Sequence, residues 1–342
     1  MRAGIVMALL SAGLFGASTP LAKALVDASD PWLLAGLLYL GAGLGLGLLR
    51  LVRGPGGEAA MTRADLPWLA LVVLFGGVAG PLCLMLGLTR TDAATAALML
   101  NLESVATLAL AWIAFRENVD RRLLLGAAAI VAGSVVLSWQ GAARLDPGAG
   151  WIALACLAWG IDNNLTRKLS AADPVQIALV KGLVAGSVNL TLALAAGAAR
   201  PGAGTVAAAG LVGFLGYGLS LVLFVLALRH LGAARTGAYF ATAPFVGAGL
   251  AVAGFGAPLT LSLLAGAALM GFGLWLHLTE AHDHLHVHGE MAHDHRHVHD
   301  AHHQHDHPPG TDPGEPHSHW HRHEALTHRH PHYPDLHHRH DH

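Results

Sequence analysis

Three formal charges lie where a charge is expensive to keep. Glu103 stands about ten residues into the apolar run 93–115, Asp162 about seven residues before the end of 150–169, and Lys181 about seven residues into 174–196. Near the middle of a bilayer-length segment a charge costs at least ~2.5 kcal/mol on insertion scales, so it faces protein or water rather than lipid. At ~1.5 Å of rise per residue, Asp162 and Lys181 fall ~10 Å below one surface on helices joined by a short loop, within reach of each other. The pair reads either as a structural ion pair or as part of a gate or substrate vestibule. By residue count Glu103 lies near the midplane, where a carboxylate can take up a proton or meet a cationic substrate. Its plainer role is a hydrogen bond that holds helices together.

A second chemistry sits at the far end of the chain. Residues 281–342 hold 23 of the 25 histidines, mostly in H-x-H alternation: His282, His284, His286 and His288, then His293, His295, His297 and His299. His302, His303, His305 and His307 follow, with further clusters to His342. Imidazole is a borderline-soft ligand suited to Zn, Ni, Co and Cu, and Asp283, Asp294 and Asp306 stand close by. These residues predict a tail that binds divalent transition metal ions, Zn, Ni or Co, by delivering, sensing or buffering them. Neutral imidazole is the ligand, so affinity falls in acid. Six prolines and no apolar periodicity predict a tail without a fold of its own.

The elements that carry these residues are set by hydropathy. Over 342 residues 54% are hydrophobic and 12% charged, against about 25% charged in a soluble domain. Consecutive apolar segments of ~20 residues read as membrane-spanning helices. Ten are expected, at 3–25, 32–52, 66–88, 93–115, 121–139, 150–169, 174–196, 205–228, 234–256 and 259–278. The first is expected to be retained rather than cleaved as a secretory signal, because 150–169 copies it far from the start. Cys83 and Cys156 lie inside apolar runs and read as small buried hydrophobes. Glycine-rich stretches such as Gly41, Gly43, Gly45 and Gly47 read as close helix packing.

Basic residues set the orientation. With the N-terminus inside, the cytoplasmic side holds Arg2, Arg50, Arg53, Arg63, Arg116, Arg121, Arg122, Arg167, Lys168, Arg229 and Arg235, against Lys23, Arg90, Arg144 and Arg200 outside. That bias predicts cytoplasmic N- and C-termini and a multi-pass protein of the cell (inner) membrane. No basic stripe points to nucleic acid, no phosphate-binding glycine loop is present, and no nucleophile–base pair suggests an enzyme.

The chain repeats itself. Ala233-Ala234 echoes Ala93-Ala94, Gly266-Ala267-Ala268 echoes Gly126-Ala127-Ala128, and Phe15-Gly16 corresponds to Trp159-Gly160. Two five-span units in series have opposite topology, and inverted repeats are a transporter signature with the site at their interface. Residues 1–140 form one unit, 150–279 the other, and 280–342 the tail. Asn101-Leu102-Glu103-Ser104-Val105, then Phe115-Arg116-Glu117, Leu125-Gly126-Ala127-Ala128 and Gly133, resemble the L-E-P-V…G-E…L-L-G-A…G pattern of EamA-type domains in the drug/metabolite transporter superfamily. The second copy keeps the proline as Ala243-Pro244-Phe245 and has Gly256-Ala257 at the bend. The resemblance implies an all-α protein of ten transmembrane helices as two inverted repeats, a central cavity, and secondary transport of small solutes.

Asn101, Asn163, Asn164, Asn189, Tyr217 and Tyr239 are further polar candidates for the substrate pathway, with Trp159 as an aromatic wall. Ser18-Thr19-Pro20 in the first span aligns with Asp162-Asn163-Asn164 in the sixth, and these matched polar stretches are where a broken-helix site is expected. The favoured cargo is a divalent transition metal or its complex, expelled with proton coupling. An exporter of small organic metabolites whose tail is a metal-binding regulator is the alternative, and a membrane-bound metal buffer or sensor that transports nothing is the rival. The expected partners are the lipid bilayer, a small solute or metal ion, and a second copy of the chain.

Overall fold

The computed structural model describes residues 2–53, 61–115, 121–139, 146–166, 169, 173–224, 226–227, 236 and 239–279, and the backbone of four tail segments. Of the residues singled out above, Arg116, Glu117, Arg144, Arg167, Lys168, Arg229 and Arg235 lie outside the described set, as do His299, His302, His303, His305 and His307. The first half runs α1 (Arg2–Val26), α2 (Pro31–Arg53), α3 (Leu66–Val72), a π-helical segment (Val73–Ala79), α4 (Gly80–Leu88), α5 (Ala93–Met99), α6 (Leu102–Phe115) and α7 (Arg121–Ser138). The second runs α8 (Pro147–Thr166), α9 (Pro174–Ala195), α10 (Ala203–Gly213), a second π segment (Phe214–Leu219), α11 (Ala243–Phe255) and α12 (Leu261–Leu278).

Eight of these stretches are long and apolar enough to cross a membrane, among the described residues. The 20-residue α8 and the 13-residue α11 take the sixth and ninth places. The protein is thus a multi-pass integral membrane protein. Short side chains in the connections start the helices. Asp30 accepts from the main-chain N–H of Trp32 and Leu33 at 2.9 and 3.0 Å, Asp92 caps α5, Asp173 caps α9 and Thr260 caps α12. Each satisfies orphan N–H groups that lipid cannot.

Equivalent helices of the two halves pack against each other, and they do so antiparallel. A Cβ added at Gly36 would lie 2.7 Å from the Leu190 nitrogen, and one at Gly182 would lie 2.6 Å from the Gly43 nitrogen. Residue numbers rise along α2 while those of its neighbour fall along α9. The same holds for α7 and α12, where a Cβ at Gly133 would lie 2.9 Å from the Gly266 oxygen and Gly126 faces Gly273. Two copies whose matching helices run antiparallel are inverted copies, as the odd number of spans requires.

One departure from the sequence reading stands out. The helix breaks are not in the first and sixth spans: α1 runs unbroken through Pro20, and α8 through Asp162-Asn163-Asn164. Pro20 frees the carbonyl four residues back, and that oxygen, of Gly16, lies against the Gly247 backbone of α11. The breaks fall instead in the fourth span, at Leu100-Asn101 between α5 and α6, and in the ninth, at Ala241-Thr242 before α11. The π segments also occupy matching places, in the third and eighth spans. In the tail the described backbone runs in four extended segments, β1 (His282–His288), β2 (Met291–His297), β3 (His317–His323) and β4 (Leu326–His332). β1 pairs with β4 and β2 with β3, both antiparallel. Alternating H-x-H sequence has the period of an extended strand, which suits this geometry.

The α2–α9 contact yields a stability prediction. Gly182→Val overpacks it, at a cost of about 1–3 kcal/mol, while Gly204→Val meets nothing within 4 Å. Thermal melting in detergent should fall clearly for the first and stay near wild type for the second.

Candidate functional site

The site is built where the broken and π-helical segments meet α8. The fourth span contains neither glycine nor proline around its break, so side chains hold the break open. Asn101 donates from Nδ2 to the Leu98 carbonyl at 2.8 Å, Ser104 donates to the Asn101 carbonyl at 2.7 Å, and buried Cys156 donates from Sγ to the Met99 carbonyl at 3.7 Å. Helix α6 then restarts with Glu103 in its first turn, where a carboxylate is favoured by the helix dipole. Its Oε1 accepts from Asn163 Nδ2 of α8 at 2.8 Å. The same amide nitrogen lies 3.2 Å from Thr107 Oγ1. Among the described residues no basic side chain forms an ion pair with Glu103. The carboxylate is half-buried and Asn163 is exposed, so this pair sits on an accessible wall of the seam.

Beside it lies a second polar cluster. Lys181 of α9 and Asp162 of α8 form an ion pair, the aspartate buried and the lysine partly buried, and Thr166 donates to the other Asp162 oxygen at 3.3 Å. The π segment of the third span supplies the floor. The Gly76 carbonyl accepts from Tyr39 Oη at 2.6 Å and from Trp159 Nε1 at 3.1 Å. The next carbonyl, of Gly77, accepts from Asn189 Nδ2 at 2.9 Å, and Asn189 Oδ1 in turn accepts from Trp32 Nε1 at 3.1 Å. A Cβ at Gly76 would overlap both the Asp162 carboxylate and the Lys181 ammonium. Glycine there lets the ion pair lie directly on the main chain.

Of the residues expected from sequence, Glu103, Asn163, Asp162, Lys181, Trp159 and Asn189 come together around the seam. Asn164 donates from Nδ2 to the Thr107 and Gly160 carbonyls at 3.1 and 2.8 Å. Its Oδ1 stays buried and unpaired among the described residues. Tyr217 stands at the edge, its ring 5.4 Å from Tyr39 and 6.0 Å from Phe15. Asn101 is buried at the break and serves the backbone. Ser18 returns its hydroxyl to the Phe15 carbonyl at 2.6 Å, and Thr19 is buried beside it. Tyr239 lends its carbonyl to Thr242 Oγ1 at 2.6 Å, in the ninth-span break. These last four are not part of the polar cluster. Sequence reasoning missed Tyr39, Thr107, Trp32 and the Gly76-Gly77 floor. The adjacent glycines inside an apolar span, four residues before Gly80-Pro81, were the available signal.

Among the described residues no group of three or more His, Cys, Asp or Glu side chains stands close enough to hold a metal ion. The site offers one carboxylate without a cationic partner, carboxamides, hydroxyls and aromatic rings.

Comparison with known proteins agrees with this architecture. The model of the EamA-like transporter family matches residues 2–139 and 146–279, one match to each half. An uncharacterized transporter of Methanothermobacter thermautotrophicus is 29% identical over 265 residues, covering 72% of this chain and 77% of that protein. A probable 4-amino-4-deoxy-L-arabinose-phosphoundecaprenol flippase subunit, ArnE, of Pseudomonas aeruginosa is 42% identical over 110 residues, 31% of this chain and 92% of that protein. A solved crystal structure at 20% identity superposes with a TM-score of 0.59, covering 80% of this chain and 97% of the other, and shares the fold.

The Asp162–Lys181 pair gives a direct test. Asp162→Asn strands a buried ammonium, which costs about 3–5 kcal/mol, and should lower the melting temperature in detergent. Adding Lys181→Met should recover most of that loss. A double-mutant cycle with no coupling would mean the pair does not hold these helices.

Proposed function

The chain belongs to the EamA-like transporter family, and on that footing we propose that it carries a small amine-bearing organic solute across the membrane along the seam between its inverted halves. The observation that carries this reading is Glu103: a half-buried carboxylate, at the head of a broken helix, whose partner is an amide rather than a cation. Such a group lacks its counter-charge, and an ammonium or a proton supplies one. Asn163, Thr107 and the aromatic wall of Trp159, Tyr39 and Tyr217 provide hydrogen bonds and apolar surface for the rest of a small molecule. The 4-amino-4-deoxy-L-arabinose-phosphoundecaprenol for which the ArnE flippase subunits are named also carries an amino group, which is the chemistry proposed here.

Exchange of a proton for the amine at Glu103 couples the two, and alternating access exposes the seam first to one side and then to the other. The basic residues of the connections favour cytoplasmic termini in the inner membrane. A homodimer is compatible with this arrangement. A second reading, efflux of a divalent transition metal, is favoured by the histidine-rich tail. The lone carboxylate is a poorer match to a bare dication, which takes several ligands at once.

Counterflow in proteoliposomes separates the readings. Radiolabelled primary amines, amino sugars and amino acids are compared with Zn, Ni and Co. Amine accumulation is expected, and Glu103→Gln should reduce it at least about tenfold, the factor that 1.4 kcal/mol represents, while the melting temperature stays near wild type. Metal-only uptake would replace this reading with metal efflux, and no uptake of either class would leave a non-transporting metal buffer.

A further inference from the structure

The two tail ladders share one register. β1 and β4 pair from His282 opposite His332 to His288 opposite Leu326. β2 and β3 continue from Met291 opposite His323 to His297 opposite His317. Between the ladders the numbering of each arm advances by three residues, so both ladders hold the same residue offset. At that offset, His282, His284 and His286 stand opposite His332, His330 and His328. His293, His295 and His297 stand opposite His321, His319 and His317.

We propose that the tail binds divalent transition metal ions between its two arms, at the cross-strand histidine pairs that this register sets side by side. Residues directly opposite on an antiparallel pair share a face, with Cβ atoms about 4.5–5.5 Å apart. Residues two apart on one strand share that face as well. Two neighbouring pairs, such as His282 with His332 and His284 with His330, therefore place four histidine positions on one face of a ladder. Four is the number of ligands a tetrahedral zinc ion takes, and imidazole is among the ligands it prefers.

The sequence carries the same alignment independently. In the first arm HDHLHVH at 282–288 returns as HDHRHVH at 293–299, eleven residues on. In the second arm HSHWHRH at 317–323 is followed, again eleven residues on, by HRHPH at 328–332. Eleven is odd, so the histidines change face between the ladders. Both arms change, and histidine still meets histidine. Slipping the register by one residue would put no histidine of these strands opposite another. A two-stranded ladder without an apolar face is marginal in water, so the ion is what stabilises the pairing. Binding releases protons from imidazolium and weakens in acid.

The test uses the full-length protein in detergent with Cys83 and Cys156 replaced by alanine, zinc as the probe, and nitroxide labels on non-histidine register partners. Leu285→Cys with Arg329→Cys reports the first ladder, and Asp294→Cys with Trp320→Cys the second. Both pairs should draw inside about 20 Å on zinc addition, allowing two label arms across the ~4.8 Å interstrand spacing. The mismatched pair at 285 and 320 should stay beyond that. Chelation, or a drop to pH ~5, should reverse the change. In His328→Asn/His330→Asn/His332→Asn the first pair should lose its convergence while the second keeps it. Distances that do not respond to zinc, or that contract equally for the mismatched pair, would overturn the proposal. No transport is measured, so this outcome is independent of what the carrier moves.

Discussion

A main-chain carbonyl set loose inside a bilayer has no water to turn to, and each unmatched group costs several kcal/mol. Among the described residues this protein departs from regular α-helix at four places in its interior, and that constraint is visible at three of them. At the first π segment the Gly76 carbonyl is met by Tyr39 and Trp159, and that of Gly77 by Asn189. At the fourth-span break the Leu98, Met99 and Asn101 carbonyls are met by Asn101, Cys156 and Ser104. In the ninth span Thr242 returns its hydroxyl to Tyr239, and Pro244 has no N–H to satisfy. Most polar side chains in the body are therefore committed to the backbone. The few left over, with Glu103 and Asn163 foremost, define what the seam can recognise.

The same accounting separates scaffold from chemistry. Both halves repeat the π segment, the break and the glycine-lined contacts, because each copy has to solve the same packing problem. The charges inside the spans are not repeated. The position of Glu103 in the first copy is held by Ala243 in the second, and Ser104 is replaced there by Pro244. The first break is kept open by side-chain hydrogen bonds and the second by a proline. Duplication accounts for an inverted shell, and divergence within one copy accounts for a single carboxylate facing it.

Much of this was legible in the sequence. Hydropathy located the spans to within a few residues, and the echo of Ala93-Ala94 in Ala233-Ala234 gave the duplication. Residue depth alone paired Asp162 with Lys181, because both lie near one surface on adjacent helices. The breaks were misread for a physical reason. Polar and proline-bearing stretches such as Ser18-Thr19-Pro20 advertise a break, yet α1 runs on through Pro20 with the carbonyl it frees close to Gly247. The fourth span breaks without glycine or proline, through long-range donors such as Cys156 that no local pattern reveals. Tyr39 is an aromatic in an apolar helix with no local signal around it, and its hydrogen bond to Gly76 is a tertiary fact.

The distribution of stiffness follows from the same contacts. The second and seventh spans, and the fifth and tenth, meet through glycines at van der Waals contact along antiparallel crossings, where any sliding drives backbone into backbone. The third, fourth, eighth and ninth spans hold the π segments and the breaks, where helical hydrogen bonds have already been exchanged for side-chain ones. A displacement there trades one donor for another, whereas a displacement at the glycine contacts has nothing to trade. Glu103 lies on the softer set, at the start of α6, and its partner Asn163 lies on the continuous helix α8. Among the described residues of the site, the carboxylate without an ion pair thus links a broken span to a continuous helix. A counter-charge arriving at that link bears on both.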